Sequence, residues 1–289
     1  EWRTRITMLV QLNKKTLLDS ITYQLTDKKL QQIAINHLSQ SYLKKGQPFS
    51  NENINNELDR LVTLFRSEGY FNFTKEKIFA EIDTIDQSLM QLNLDPLAQI
   101  NQVTNAAMMK DKNPSWKVSI QLRNTNPSVV KQYHVGQQHF YSDLKLTDNP
   151  DSILKSPPPF SEYKNGIVHS FKKRNYKSNL FEQQSFIKKG DLFNENLYYQ
   201  TLNNFSSLGA WQQIDGRTTI KQDSVYLHYF LLPALRRSYS FDIEGSRNTS
   251  QLTSGNLLGL STSFTYRDKN VAKKSIPSIT NLRMGIELN

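Results

Sequence analysis

The chain has 289 residues, a length that suits about two domains, and its 36 basic against 26 acidic side chains give a net charge of +10. That balance admits an anionic partner such as a membrane face or a nucleic acid, whereas the absence of Cys excludes a disulfide framework and any Cys-based metal site. Spanning-helix runs of roughly 18 apolar residues are absent, as are phosphate-loop, zinc-protease and nucleophile-elbow motifs.

The opening Glu1-Trp2-Arg3 carries neither an initiating methionine nor a signal peptide, as expected of a mature piece or a fragment. Ile6, Met8, Val10 and Leu12 alternate as in a half-buried strand. After a turn at Asn13 to Lys15, a second strand over Leu17 to Leu25 puts Ile21, Tyr23 and Leu25 on one face. Asp27 is expected to cap a helix carrying Leu30, Ile33, Leu38 and Tyr42, ended by Gly46 with Lys44-Lys45 as a solvated helix end. Ser50 then caps a second helix whose apolar face is Ile54, Leu58, Leu61, Val62 and Phe65, and Gly69 stops it. Glu57 and Asp59 on that helix read as solvated surface. Lys77 to Ile82 alternates with Ile78, Ala80 and Ile82 inward. Asp95-Pro96 opens a short helix with the face Leu97, Ile100, Val103 and Ala107, and Trp116, Val118, Ile120 and Leu122 form a strand.

The same grammar then returns. Lys44-Lys45-Gly46 and Phe49 recur as Lys188-Lys189-Gly190 and Phe193, and Asn51 to Ile54 as Asn194 to Leu197. Phe65 and Gly69 recur as Phe205 and Gly209, each glycine followed two residues on by an aromatic, Phe71 or Trp211. The offset drifts from 144 to 140, about one helical turn, so two structural units of one kind are expected. In the second, Tyr133 to Tyr141 is the opening strand, a helix runs from about Phe181, and Leu197, Thr201, Phe205 and Leu208 face the core. Strands near Gln212 to Ile214 and over Val225 to Leu232 complete it. Pro157-Pro158-Pro159 and Lys172-Lys173-Arg174 belong to an inserted stretch expected to be a surface loop, because a proline run cannot pair inside a sheet.

Past Pro233 helices disappear. Tyr239, Phe241 and Ile243 alternate with Ser240, Asp242 and Glu244, and Leu258 to Tyr266 and Leu282 to Leu288 alternate likewise. Segments of about ten residues with one apolar side suit a transmembrane β-barrel wall or a soluble antiparallel sheet. Three strands cannot close a barrel, so on the first reading most of it lies elsewhere. The five His are scattered and read as ordinary side chains, and the basic residues are spread rather than clustered as groove binding to nucleic acid requires.

Strand–helix–helix–strand–strand units with KKGxxF and GYFNF/LGAW motifs resemble POTRA domains. Glu244-Gly245-Ser246-Arg247-Asn248-Thr249-Ser250, Asn256-Leu257-Leu258-Gly259-Leu260 and Tyr266-Arg267-Asp268-Lys269-Asn270 resemble the start of the barrel in BamA/TamA-type outer-membrane assembly proteins. The Asp95-Pro96 insertion and GYFNF are similar to the Bacteroidota versions. Val271-Ala272-Lys273-Lys274 departs from the aromatic-glycine continuation of that family.

The resemblance implies an α+β fold: tandem POTRA domains (β-α-α-β-β, three-stranded sheet with two helices on one face) followed by the first antiparallel strands of a transmembrane β-barrel. Its divisions would be 1–14, the end of a preceding POTRA domain; 15–124, with a helical insertion at 84–115; 125–234, with a loop insertion at 142–170; and 235–289, the first barrel strands. It implies an assembly factor in the outer membrane, its POTRA domains in the periplasm, with no enzymatic step and no cofactor. Unfolded outer-membrane clients, accessory lipoproteins or periplasmic subunits, and outer-membrane lipid would be its partners, and nucleic acid would not. The client-binding edges would be Lys77, Ile78, Phe79, Ala80, Glu81 and Ile82, and Trp211, Gln212, Gln213 and Ile214, each accepting an extended segment by β-augmentation. Tyr239, Ser240, Phe241, Asp242 and Ile243 would form the barrel seam. A two-partner-type secretion pore and a basic nucleic-acid-binding module are the alternatives.

Overall fold

The computed structural model describes residues 15–84, 100–101, 104, 114–123, 130–248 and 257–288. Contacts divide the chain into two units, Glu1–Lys131 and Gln132–Asn289. The strand expected over Ile6 to Leu12 and nearly all of the helix after Asp95 lie outside the described residues.

In the first unit, β1 (Leu17–Gln24), α1 (Lys28–Asn36), α2 (Asn51–Ser67), β2 (Ile78–Asp83) and β3 (Ser115–Leu122) form a sheet in the order β1-β3-β2. β3 runs parallel to β1 and antiparallel to β2. Asp27 caps α1 by accepting from the N–H groups of Lys29 and Leu30, and Ser50 caps α2 by accepting from Asn53 N–H. Leu30 and Ala34 of α1 and Ile54, Leu58, Leu61 and Phe65 of α2 share one core with Ile78, Val118, Ile120 and Leu122, so both helices lie on one sheet face. Phe65 is fully buried edge-on to Phe73 at 4.9 Å, a contribution of about 2–3 kcal/mol. Gly69 follows at φ +91, a left-handed conformation that strains any side chain.

Two expectations fail here. α1 stops at Asn36, and Leu38 and Tyr42 are exposed rather than part of its apolar face. Past Asn36 the chain tightens into a 3-10 turn, Leu38–Gln40, becomes extended at Ser41, and Tyr42 N–H donates to the Glu57 carboxylate at 2.9 Å instead of continuing the helix. Gly46 therefore ends no helix. Its N–H donates to Leu18 O at 2.7 Å, and Leu17 bridges Pro48, so the Lys-Lys-Gly turn extends the sheet edge.

The second unit repeats this plan with additions. β4 (His134–Tyr141), α3 (Pro150–Lys155), β5 (Phe160–Lys164), β6 (Ile167–Phe171), α4 (Ser178–Gln184), α5 (Glu195–Ser207), β7 (Trp211–Lys221) and β8 (Ser224–Pro233) give a sheet ordered β5-β6-β4-β8-β7. The β4–β8 parallel and β8–β7 antiparallel pairs match β1–β3 and β3–β2. α5 has 13 residues against 17 in α2, the expected one-turn deletion. Phe205 is fully buried, and Gly209 follows at φ +66. The inserted stretch is no loop: α3 covers part of the far sheet face through Ile153, and the β5–β6 hairpin adds two strands beside β4. Pro157 to Pro159 stand just before β5, an edge strand, where proline costs no ladder bond.

Also in this unit, β9 (Arg237–Asn248), β10 (Leu257–Val271) and β11 (Ile276–Leu288) form a separate antiparallel sheet, β11-β10-β9, which is not closed into a barrel among the described residues.

Candidate functional site

The edges can be read bond by bond. Lys77 lies in a 3-10 turn, Lys75–Lys77, and Ile78 to Ile82 lie in β2, which pairs only with β3 among the described residues. Arg123 N–H donates to Lys77 O, so Lys77 faces β3, and by alternation so do Phe79 and Glu81. The backbone groups of Ile78, Ala80 and Ile82 therefore point away from the sheet, available to another strand. Side chains follow the other alternation. Ile78 is buried and Ala80 packs on the core, while Ile82, expected inward, is exposed and lies outside that core. Phe79 lies under the Arg123 guanidinium at 5.1 Å, and Glu81 accepts from Gln121.

β7 is the matching edge and pairs only with β8 among the described residues. It runs to Lys221, well beyond the expected Gln212 to Ile214. Trp211 offers no surface: it is buried, donates to Ser142 O at 3.3 Å and packs against the tilted ring of Tyr176 at 4.7 Å. A bulge between Trp211 and Gln213 leaves Gln212 without a ladder partner. Leu231 O accepts from Leu144 N–H on the opposite side of β8, so Ile214, which faces Leu231, directs its own backbone groups outward.

Tyr239, Ser240, Phe241, Asp242 and Ile243 lie in β9, paired on one side with β10. Ile243 and Met284 flank Thr262, Phe241 and Leu282 flank Phe264, and Tyr239 sits opposite Tyr266. One face is thus apolar across all three strands. Tyr239, Phe241 and Ile243 are 64–66 % exposed, and Leu282, Met284 and Ile286 are 58–67 % exposed. The opposite face is polar: Arg283 bonds Glu244 at 2.7 Å, and Ser261 and Ser263 donate to Glu244 and Asp242. A soluble sheet would bury such an apolar face against a second layer; here none covers it among the described residues.

Three arrangements escaped the sequence reading. Glu57, expected at the surface, is fully buried and accepts from Tyr23 Oη at 2.7 Å, from Tyr42 N–H and from Arg60. Burial, opposed by a hydrogen bond from Ser41, raises the Tyr23 phenol to about 12. His139 and His228 stack at 4.8 Å on the far face of the second sheet, where burial lowers both imidazoles. Arg236 and Arg237 grip Asp268, and Asn270 bonds Asn175 O and Ser275 N–H, which fastens the β10–β11 turn to the residues before α4. No group of three or more potential metal ligands occurs among the described residues.

No protein-family description matches the chain. No curated protein matches it either. Its similarities are to solved BamA, CdiB and POTRA-domain structures. A Haemophilus ducreyi BamA lacking POTRA domains 1–3 is 10% identical, covering 93% of this chain and 43% of that one, with a TM-score of 0.47. CdiB from Acinetobacter baumannii is 9% identical over 96% of this chain and 40% of its own, with a TM-score of 0.38. Haemophilus influenzae BamA POTRA3-5 is 11% identical, covering 78% of this chain and 100% of its own, with a TM-score of 0.26. The chain spans less than half the length of the first two.

Proposed function

We propose that the chain is a periplasmic arm with the opening strands of an outer-membrane β-barrel, in a factor that inserts other barrel proteins. The observation that carries this reading is the β9–β11 sheet, apolar on one exposed face and hydrogen-bonded polar on the other. Strands of 12, 15 and 13 residues exceed the roughly 9–11 needed to cross a bilayer. The outward backbone groups of β2 and β7 would hold extended clients or partner subunits by strand addition. β9, unpaired on its outer side among the described residues, would be the seam at which incoming strands pair. No chemical step and no cofactor enter this function.

Photocrosslinking in cells tests it. A photoreactive residue in place of Glu81 or Gln213, both exposed beside those edges, should capture unfolded outer-membrane proteins, whereas the same residue at Asp59 on α2 should not. Equal yields at all three positions would contradict capture at the edges.

A further inference from the structure

The β10–β11 end of the apolar sheet is surrounded by cations. Tyr239 and Tyr266, with ring centroids 5.2 Å apart, close the apolar face at this end, as amphipathic rings do at a membrane–water boundary. Beyond them lie Arg236, Arg237, Lys269, Lys273 and Lys274. Lys177 N–H donates to Lys273 O at 2.9 Å, and Asn270 bonds Asn175 O, so the basic stretch Lys172-Lys173-Arg174 is held at the same end.

Ion pairs account for only some of these charges. Asp268 takes Arg236 and Arg237, Glu162 takes Arg174 and Asp148 takes Lys172. Lys173, Lys177, Lys269, Lys273 and Lys274 have no ion-pair partner among the described residues. An open cleft of about 830 Å³ between β5, the residues before α4 and the β10–β11 turn is lined by Lys164, Arg174, Lys177 and Lys273 against one carboxylate, Glu162. Lys164 and Arg174 of that lining pair with Glu182 and Glu162, which leaves Lys177 and Lys273 unpaired in the cleft. With Lys173, Lys269 and Lys274 beside it, next to an aromatic boundary and an apolar wall, they match an anionic phospholipid in charge and in polarity order.

We propose that this basic rim binds the phosphate headgroups of anionic phospholipids in the leaflet that the sheet enters at its β10–β11 turn. The proposal rests on the lipid-facing reading of β9–β11 and adds a headgroup preference to it. Cations near an anionic surface each strengthen binding, and salt screens them.

The test is flotation of the whole chain with vesicles of phosphatidylcholine alone or mixed with phosphatidylglycerol. The native chain should partition at least about tenfold more strongly to the anionic vesicles at low salt. Replacing Lys173, Lys177, Lys269, Lys273 and Lys274 together by Gln should abolish the preference and keep phosphatidylcholine binding, and replacing them by Arg should keep the preference. Equal partitioning of the native chain to both vesicles would overturn the headgroup site and leave the lipid-facing sheet standing. Partitioning to neither would overturn both. A preference that survives in the Gln variant, or equal affinity for a duplex oligonucleotide, would also overturn it.

Discussion

Ser41 and Ser185 occupy the same place in the two units, and each hydroxyl lies within hydrogen-bond distance of the carbonyl two residues on, Leu43 at 3.2 Å and Ile187 at 3.0 Å. Each also bonds a polar side chain of the first strand, Tyr23 or Gln138. The next backbone N–H, of Tyr42 or Phe186, is taken by the second helix through Glu57 or Thr201. The repeated SYLKKG/SFIKKG motif is thus a hydrogen-bonded stitch from helix to strand, with a charged bond in the first copy and a neutral one in the second. Glu57→Ala should cost the first unit about 3–5 kcal/mol, since it orphans the largely buried Arg60 and Tyr23 groups and the half-buried N–H of Tyr42; Thr201→Ala should cost about 1–2 kcal/mol. Denaturant melts of the two variants check both. His169, bonded to Ser142 and Ser178, is lowered to about 4 first by burial, and His228 likewise to about 4. A depressed folded pKa means a contribution complete above the ordinary 6.5 and lost as pH falls toward 4. Unfolding midpoints of the second unit should drop over that window, and His169→Gln with His228→Gln should flatten the profile.

At the level of elements, the second helices were legible because a 3.6-residue apolar period, an N-cap and a left-handed glycine all agree at Ser50, Phe65 and Gly69. Leu38 and Tyr42 keep helical spacing past the end of α1, whereas the backbone of Tyr42 is held by Glu57, 15 residues on, which no local pattern reports. Glu57 itself was misread because its partner Tyr23 lies 34 residues away, beyond any local pattern. The β5–β6 hairpin had a signal: Asn165-Gly166, both at positive φ, is the preferred two-residue hairpin turn. The proline run before it masked that signal, although proline is compatible with the edge that β5 occupies. The free edge of β2 makes a directional prediction. Ala80→Pro removes an outward donor and should lower client or partner capture while the fold persists. Phe79→Pro breaks a bond to β3 and should destabilise the unit by about 1 kcal/mol or more. Crosslink yields and melts compared across the pair separate docking from folding. Equal capture by Ala80→Pro and the native chain would count against strand addition at β2.

For the whole molecule, the proposed function requires that the β9–β11 sheet face lipid with Tyr239, Phe241, Ile243, Phe264, Leu282, Met284 and Ile286. Its alternation was legible in sequence because a strand's period of two sorts side chains without help from distant contacts; the cross-strand register was not, since pairing Phe241 with Phe264 and Phe264 with Leu282 depends on turn lengths. An Arg in place of Phe241 should weaken membrane folding by about 2–4 kcal/mol if the site lies near mid-bilayer, whereas Arg in place of Ser240 should be nearly neutral. The most direct measurement uses the absence of native Cys. A fluorophore is placed on single cysteines at Phe241, Phe264 or Met284, and at Asp242, Ser263 or Arg283, in the membrane-inserted protein. Brominated lipid should quench the first set and aqueous iodide the second. Equal quenching of both sets by iodide would contradict a lipid-facing sheet.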